Sequence, residues 1–505
     1  MTLARTYSVA LIGVRGHVVE VEADIASGLP ATVLVGLPDT ALREARDRIR
    51  AAINNSGAHW PSTKITVGLS PASLPKRGSG FDAAIAIGLL AADSKISADR
   101  LKNLMFYAEL GLDGQLRPVN GVLPAVLAAK DAGLTTMVVS AANAAEAALV
   151  PDVTVVAASS LGELILWLHG GPAPQPPAIE TVKASKPKDK DMSDVLGQAD
   201  ARFAVEVCAA GGHNLSLLGP PGAGKTMLAE RMPGILPALD TRAALEVTSI
   251  HSVAGELQPD AGLVTRPPFC APHHTASKAA IVGGGSGQIR PGAASLAHNG
   301  ILFLDEAPEF DRDVLDALRQ PLESGEVVIA RLGICAAFPA RFALVLAANP
   351  CPCAKANSGI CECAPAARRR YQAKLSGPLL DRVDVKVELQ PVARADILHN
   401  ATGGEPTEAV ADRVAQARAR AAQRYQGTSW RLNAEIPGAE LRRDYPVRPG
   451  ALIWLDQAMQ NGQVTARGAD KVMRVAWTLA DLAGRDQPGS DEVTGAIGLW
   501  LGVAR

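Results

Sequence analysis

The 505-residue chain carries 50 Lys plus Arg against 51 Asp plus Glu, a net charge of −1, with 48% hydrophobic and 4% aromatic residues. High hydrophobicity with so little net charge excludes a chain disordered throughout, and the length is that of about three domains. No apolar stretch reaches the ~18 residues of a membrane span, and Met1–Glu20 has neither a basic start nor a cleavage site, so a cytoplasmic protein is expected. The near-neutral total still allows a local basic channel. Of seven cysteines, four fall between Cys351 and Cys363, which points to a metal rather than to a disulfide framework.

In chain order, residues 1–169 alternate strand-like runs (Thr32–Val35, Ile65–Leu69, Met137–Val139, Val153–Val156) with helical runs over Thr40–Asn54, Phe81–Ala92 and Leu123–Ala132. That mixture predicts one α/β domain. Gly170–Asp194, with five prolines and little hydrophobic periodicity, reads as an exposed linker. Residues 195–390 hold continuous apolar runs at Asn214–Leu218, Gly300–Leu304 and Phe342–Ala347, as parallel strands buried on both faces require. Residues 391–505 are expected to be helical, with periodic segments at Glu408–Tyr425 and Val472–Leu482.

The most specific motif is Gly219-Pro220-Pro221-Gly222-Ala223-Gly224-Lys225-Thr226, set between the strand Leu215–Leu218 and a helix beginning near Met227. Glycines at this spacing let backbone N–H groups wrap phosphates, and the helix start adds positive potential. Lys225 would neutralise the β- and γ-phosphates of ATP, and Thr226 would hold Mg²⁺. About 80 residues on, the strand Ile301–Leu304 ends in Asp305, a second Mg²⁺ support, and Glu306, a base for the attacking water. Asn349, ending a third strand, is suited to hold that water or the γ-phosphate. Arg382 follows a predicted helix and is placed to stabilise transition-state charge on a neighbouring subunit's nucleotide.

This order of elements resembles an AAA+ ATPase. Gly197–Asp384 is similar to the magnesium-chelatase-like branch in GGHNLSLLGPPGAGKTML, APHHTASKAAIVGGG, LAHNGILFLDEAPEF, AANPCPC and KLSGPLLDRVD. Nearly the whole chain resembles the ComM (YifB) family. The resemblance implies a hexameric DNA helicase promoting branch migration in natural transformation, with Arg382 acting in trans. It also implies sensor-2 roles for Arg467, first, and Arg474, second. One departure is Ala293, where the family usually has glutamate in its P-G-E-x-S-L-A-H stretch.

Cys351, Cys353, Cys361 and Cys363 form C-x-C-x₇-C-x-C, four thiolates able to close a structural Zn²⁺ site; a reduced, metal-free loop and a redox pair are the alternatives. Around them, residues 341–374 hold Arg341, Lys355, Arg368, Arg369, Arg370 and Lys374 against Glu362 alone, a balance of +5. Such a patch, with Tyr371 as a stacking face, suits sequence-tolerant DNA binding; a solvated loop or a subunit interface fits it equally. Ala279–Arg290, and a hairpin of Glu326–Arg331 with Ala340–Phe342, are candidate pore loops. His273, His274 and His298 are read as structural or interface residues.

Residues 1–169 resemble the Lon-protease-like (ribosomal-S5-like) domain through KRGSGFDAAIAIGLL and ELGLDGQLRPVNGVLP. Gly80 falls where active members have the nucleophilic serine, beside Ser79, and Leu123 where they have the lysine. Without nucleophile and base, proteolysis is disfavoured. A magnesium-chelatase motor subunit is the alternative to the DNA motor, followed by an ATP-dependent protease and a non-catalytic interaction protein.

Overall fold

The computed structural model describes residues 2–36, 40–175, 190–258, 262–285, 289–331, 334–353, 361–391 and 404–503. A seven-stranded mixed sheet fills the N-terminal part, ordered β3 (Ala31–Val35), β4 (Lys64–Ser70), β2 (Arg15–Ala26), β1 (Thr2–Ile12), β5 (Leu104–Tyr107), β8 (Thr136–Ser140), β9 (Thr154–Ala158). A short pair, β6 (Glu109–Leu110) and β7 (Leu116–Arg117), stands beside it. The long antiparallel pair β1–β2 goes beyond the strands expected here, and its one continuous apolar run is Val9–Ile12 at the end of β1. Buried and part-exposed residues alternate along β2: Val19, Val21 and Ala23 face one core, and the part-buried Val18 packs on the other side with the helix Val122–Asp131. The wholly buried helix Asp82–Ala92 packs on that sheet, where Thr6 Oγ1 donates to the Ala84 carbonyl at 2.9 Å.

The second sheet runs β11 (Phe269–Cys270), β12 (Ile301–Leu304), β15 (Ala343–Ala348), β10 (Leu215–Leu218), β16 (Val385–Glu388), and every neighbouring pair is parallel. Helices cover both faces, so all of β12 is buried and β15 is buried after its first residue. The C-terminal helices Thr407–Arg424, Ala466–Leu482 and Ser490–Leu501 join the same core. No helix among the described residues is long and apolar enough to cross a membrane.

Two details differ from expectation. The strand Glu326–Arg331 (β13) pairs with Ile334–Pro339 (β14), not with Ala340–Phe342. The nearer run closes the smaller loop, and Ala340 N donates to Gly325 O at 2.8 Å to seal the base of the hairpin. In the proline-rich segment, residues 176–189 lie outside the described residues, whereas Met192 is buried and Asp194 pairs with Arg231 at 2.6 Å.

The hairpin also joins the two sheets. Phe338 and Ala336 of β14, with Val253, are buried against Leu11, Ile12 and Val14 at the β1–β2 turn. Alongside, Gly121 N donates to Ser252 O at 3.2 Å, and the Ser252 hydroxyl donates to Glu146. Phe338→Ala is expected to cost about 3–5 kcal/mol, read as a lower thermal midpoint with faster proteolysis between the two parts.

Candidate nucleotide site and cysteine cluster

Because β10, β12 and β15 are parallel and in register, their carboxyl ends meet at one edge. The loop Gly219–Gly224 leaves β10 there and enters the helix Lys225–Ile235. Gly222 and Gly224 have φ of +76° and +95°, and a Cβ at either would meet nothing within 4 Å, so the loop is both left-handed and open. Pro220, Pro221 and Ala223 complete it, and Met227 is exposed on the first turn of the helix.

The Lys225 ammonium folds into this loop. It donates to Gly219 O at 2.6 Å, to Pro220 O at 2.9 Å and to Asn349 Oδ1 at 3.0 Å, joining the loop to the end of β15. Burial pushes its pKa down, and the charges of Asp305 and Glu306 act in the opposite direction. Thr226 Oγ1 donates to Asp305 Oδ2 at 2.7 Å, a pair of hard oxygen donors of the kind Mg²⁺ takes. Glu306 holds a left-handed backbone, φ +50°, which costs a non-glycine residue about 1–3 kcal/mol. Its N–H donates to Asp305 Oδ1 at 2.9 Å, and its carbonyl accepts from Glu309 N at 2.7 Å.

A cleft of about 290 Å³ opens beside the Thr226–Asp305 pair, lined among others by Thr226, Phe269, His273, His274, Asp305 and Glu306. His274 Nδ1 lies 3.5 Å from Glu306 Oε2, so this histidine belongs to the site. Residue type alone gave no means of separating it from His298. His298 is structural: its Nδ1 accepts Arg341 N at 3.0 Å, and its Nε2 lies 3.3 Å from Glu246.

None of the three arginines lines this cleft. Arg382 sits where β16 begins, beside the amino end of β10, so about 13 Å of strand separates it from the loop. Its guanidinium donates to Pro378 O at 2.5 Å and pairs with Glu323. Arg474 Nε donates to Ile436 O at 2.7 Å, a packing role. Arg467, on the first turn of the helix Ala466–Leu482, is exposed and makes no hydrogen bond or ion pair among the described residues.

Cys351 follows Asn349 by two residues. All four Sγ atoms of Cys351, Cys353, Cys361 and Cys363 lie within 4.8 Å of one another, with Cys351–Cys353, Cys361–Cys351 and Cys353–Cys361 at 3.2, 3.4 and 3.5 Å. A tetrahedral ZnS₄ unit with Zn–S of ~2.3 Å needs sulfurs about 3.8 Å apart, so the set fits zinc. Residues 354–360, Lys355 included, lie outside the described residues. The helix Pro365–Gln372 leads on from the cluster with Arg369 and Arg370 exposed, but Tyr371 is buried. It is no stacking face: its phenol reaches the Asn349 backbone N–H, and burial pushes its pKa up to about 12.

The candidate pore loops meet each other. Gly284 and Arg290 exchange backbone hydrogen bonds at 3.0 Å, and an Arg331 guanidinium N–H donates to Gly285 O at 2.6 Å; residues 286–288 lie outside the described residues. In the N-terminal part, Leu123 is wholly buried on the helix Val122–Asp131, and a Cβ at Gly80 would come 2.6 Å from the Tyr107 ring. A serine there has no room.

A five-stranded parallel sheet with a phosphate-type loop, a carboxylate pair on the next strand but one and a helical C-terminal part defines the AAA+ class of P-loop folds. Family profiles agree: "Magnesium chelatase, subunit ChlI" matches residues 191–397, "Subunit ChlI of Mg-chelatase" 21–143, and "Magnesium chelatase, subunit ChlI C-terminal" 404–499. An uncharacterised protein of Mycobacterium tuberculosis is 54% identical over 497 residues, 98% of each chain. The competence protein ComM of Haemophilus influenzae is 41% identical over 504 residues, 99% of this chain and 97% of its own. The uncharacterised protein YifB of Escherichia coli is 39% identical over 482 residues, 95% and 94% of the two chains. The chain belongs to the ComM/YifB family of magnesium-chelatase-like AAA+ proteins.

Elemental analysis of reduced protein is expected to find about one zinc per chain. Cys351→Ser should lower that content and destabilise the loop beyond Asn349, read as faster proteolysis there.

Proposed function

We propose that this chain is the ATP-hydrolysing subunit of a homo-hexameric motor that moves on branched or double-stranded DNA and promotes branch migration during recombination in natural transformation. The observation that carries the ATPase reading is the pair of contacts Lys225–Asn349 and Thr226–Asp305 at one strand edge, below a cleft that Glu306 also lines. Gly219–Met227 cradle the nucleotide, and Lys225 neutralises phosphate charge in place of its present carbonyl partners. Thr226 and Asp305 hold Mg²⁺, which when bound adds positive charge at the phosphates. Glu306 takes the proton of the attacking water, and Asn349 fixes that water or the terminal phosphate.

Arg382 acts in trans, stabilising charge on a neighbour's nucleotide; its place at the far end of β10 supports this. Arg467 serves as the sensor-2 residue, with its exposed side chain, unpartnered among the described residues, in support, and Arg474 is second because its Nε is already committed. The cysteines hold Zn²⁺ as a closed structural crosslink. Exposed Arg369, Arg370 and Lys374 beside it favour phosphate-backbone binding, sensitive to salt and tolerant of sequence. The likeness over nearly the full length to a competence protein supports the transformation role. The N-terminal part serves as a Lon-like scaffold without a serine–lysine dyad.

The magnesium-chelatase profiles favour one other reading, a motor subunit that remodels a protein partner for metal insertion. ATPase assays with and without forked DNA, followed by unwinding of a four-way junction, separate the two. The DNA motor is expected to show stimulated turnover and junction unwinding; DNA-independent ATPase without unwinding overturns it. Glu306→Gln should preserve ATP binding and lower turnover by about two to four orders of magnitude; unchanged turnover removes its assigned role.

A further inference from the structure

The nucleotide chemistry leaves Gly211-Gly212-His213-Asn214, just before β10, without a part, yet all four residues are committed to contacts. The helix Ala199–Gly211 ends at Gly212, and the N–H groups of Gly212 and His213 both donate to Cys208 O, at 2.9 and 3.1 Å. The wholly buried His213 ring sets Nε2 2.7 Å from Thr478 Oγ1 on the helix Ala466–Leu482. Burial pushes its pKa down to about 4, so the ring is neutral. A Cβ at Gly211 would overlap both His213 Nε2 and Thr478 Oγ1, so this position has to be glycine.

Asn214 then connects several elements, its carbonyl accepting from the N–H groups of Asp384 and Val385 at 3.0 and 3.1 Å. Its Nδ2 donates to Arg382 O at 2.8 Å, and its Oδ1 accepts Leu344 N at 2.8 Å, near the start of β15. Its backbone N–H donates to Asp384 Oδ2 at 2.8 Å. The other Asp384 oxygen accepts from Lys471 Nζ at 2.7 Å, an ion pair with side chains only 8% and 10% exposed, and Lys471 lies on the same helix as Thr478. One asparagine thus joins the amino ends of the two strands whose carboxyl ends bear the phosphate loop and Asn349. It joins both to the backbone of Arg382 and, through Asp384, to the C-terminal helices.

We propose that Asn214 is a positioning residue for Arg382, passing the relative placement of β10 and β15 to the arginine that the subunit presents to its neighbour. Strands of four and six residues are stiff on this scale, so a shift of the phosphate loop against Asn349 is felt at their opposite ends. The amide turns that shift into displacement of the Arg382 carbonyl, and the Asp384–Lys471 pair carries it into the C-terminal helices. The inference rests on the proposed action of Arg382 in trans.

Mixed rings test it. Asn214→Ala is expected to lower turnover about ten- to hundredfold, the cost of an ångström-scale misplacement, with ATP affinity within about twofold of the parent. Mixed one to one with Glu306→Gln subunits, whose Arg382 is intact, it should recover about a quarter of parental turnover, because in a head-to-tail ring half of the competent sites then face a sound arginine. Mixed with Arg382→Ala subunits it should recover nothing. Asn214→Asp keeps the acceptor for Leu344 but loses the donor to Arg382. It should behave alike, and it stands in if the alanine variant does not fold. Failure of Asn214 variants to be rescued by Glu306→Gln, while Arg382→Ala subunits are rescued, overturns the proposal and places the damage in the variant's own site. If Arg382→Ala is not rescued either, the trans reading itself falls, and this inference with it.

Discussion

Parallel registration of β10, β12 and β15 is the constraint on which the site depends. Each strand ends in a different chemical group: a left-handed open loop with Lys225, the Asp305–Glu306 pair, and Asn349. Only a common polarity brings them to one edge of the sheet. The hydrogen bond from Lys225 to Asn349 Oδ1 shows how close that convergence is. Reversing any one strand would move its group to the opposite edge, where the sheet carries Asn214, Arg382 and Asp384 instead. The two edges therefore have different work: one is furnished for phosphate, the other for holding the strands, Arg382 and the C-terminal helices in a fixed relation.

The cysteine cluster and the β13–β14 hairpin attach to this frame at well-defined points. Cys351 follows Asn349 by two residues, and the buried Tyr371 leans on the Asn349 backbone, so the basic helix Pro365–Gln372 is braced against the end of β15. The hairpin lies between the two sheets, with its base sealed on Gly325 and its apolar side against the β1–β2 turn. Its outer end meets the loop of Gly284 and Arg290. The N-terminal part retains a packed α/β core, but the Tyr107 ring fills the space a nucleophile at Gly80 would need. That part is held to the parallel-sheet core by Ser252, Glu146 and the aromatic ring of Phe338.

Much of the central sheet and its site was legible in linear order. Continuous apolar runs located β10, β12 and β15 to within a residue, because strands covered on both faces leave no room for polar alternation. The phosphate loop, the carboxylate pair and the cysteine spacing are local patterns whose chemistry needs neighbours in sequence. Much of the β1–β2 pair was hidden because β2 alternates apolar with polar and charged residues (Val19-Glu20-Val21-Glu22-Ala23-Asp24), leaving no continuous apolar run there. The basic surroundings of Tyr371 suggest a stacking face, yet the short helix turns it inward. His274 could not be told from His298 by type; what separates them is which carboxylate each faces, Glu306 or Glu246.

The amino-acid sequence by itself determined the chemical inventory of this protein: a phosphate loop, two carboxylates, an asparagine, a cysteine quartet and their order along the chain. Each of these is written in residues a few positions apart, where covalent spacing already constrains geometry. Tertiary structure alone decided which groups meet: Lys225 with Asn349, Glu306 with His274, and Asn214 with Arg382, Leu344 and Asp384. Those pairs stand tens to hundreds of residues apart, and only the folding of parallel strands into one sheet, with the C-terminal helices packed at its far end, brings them within hydrogen-bonding distance.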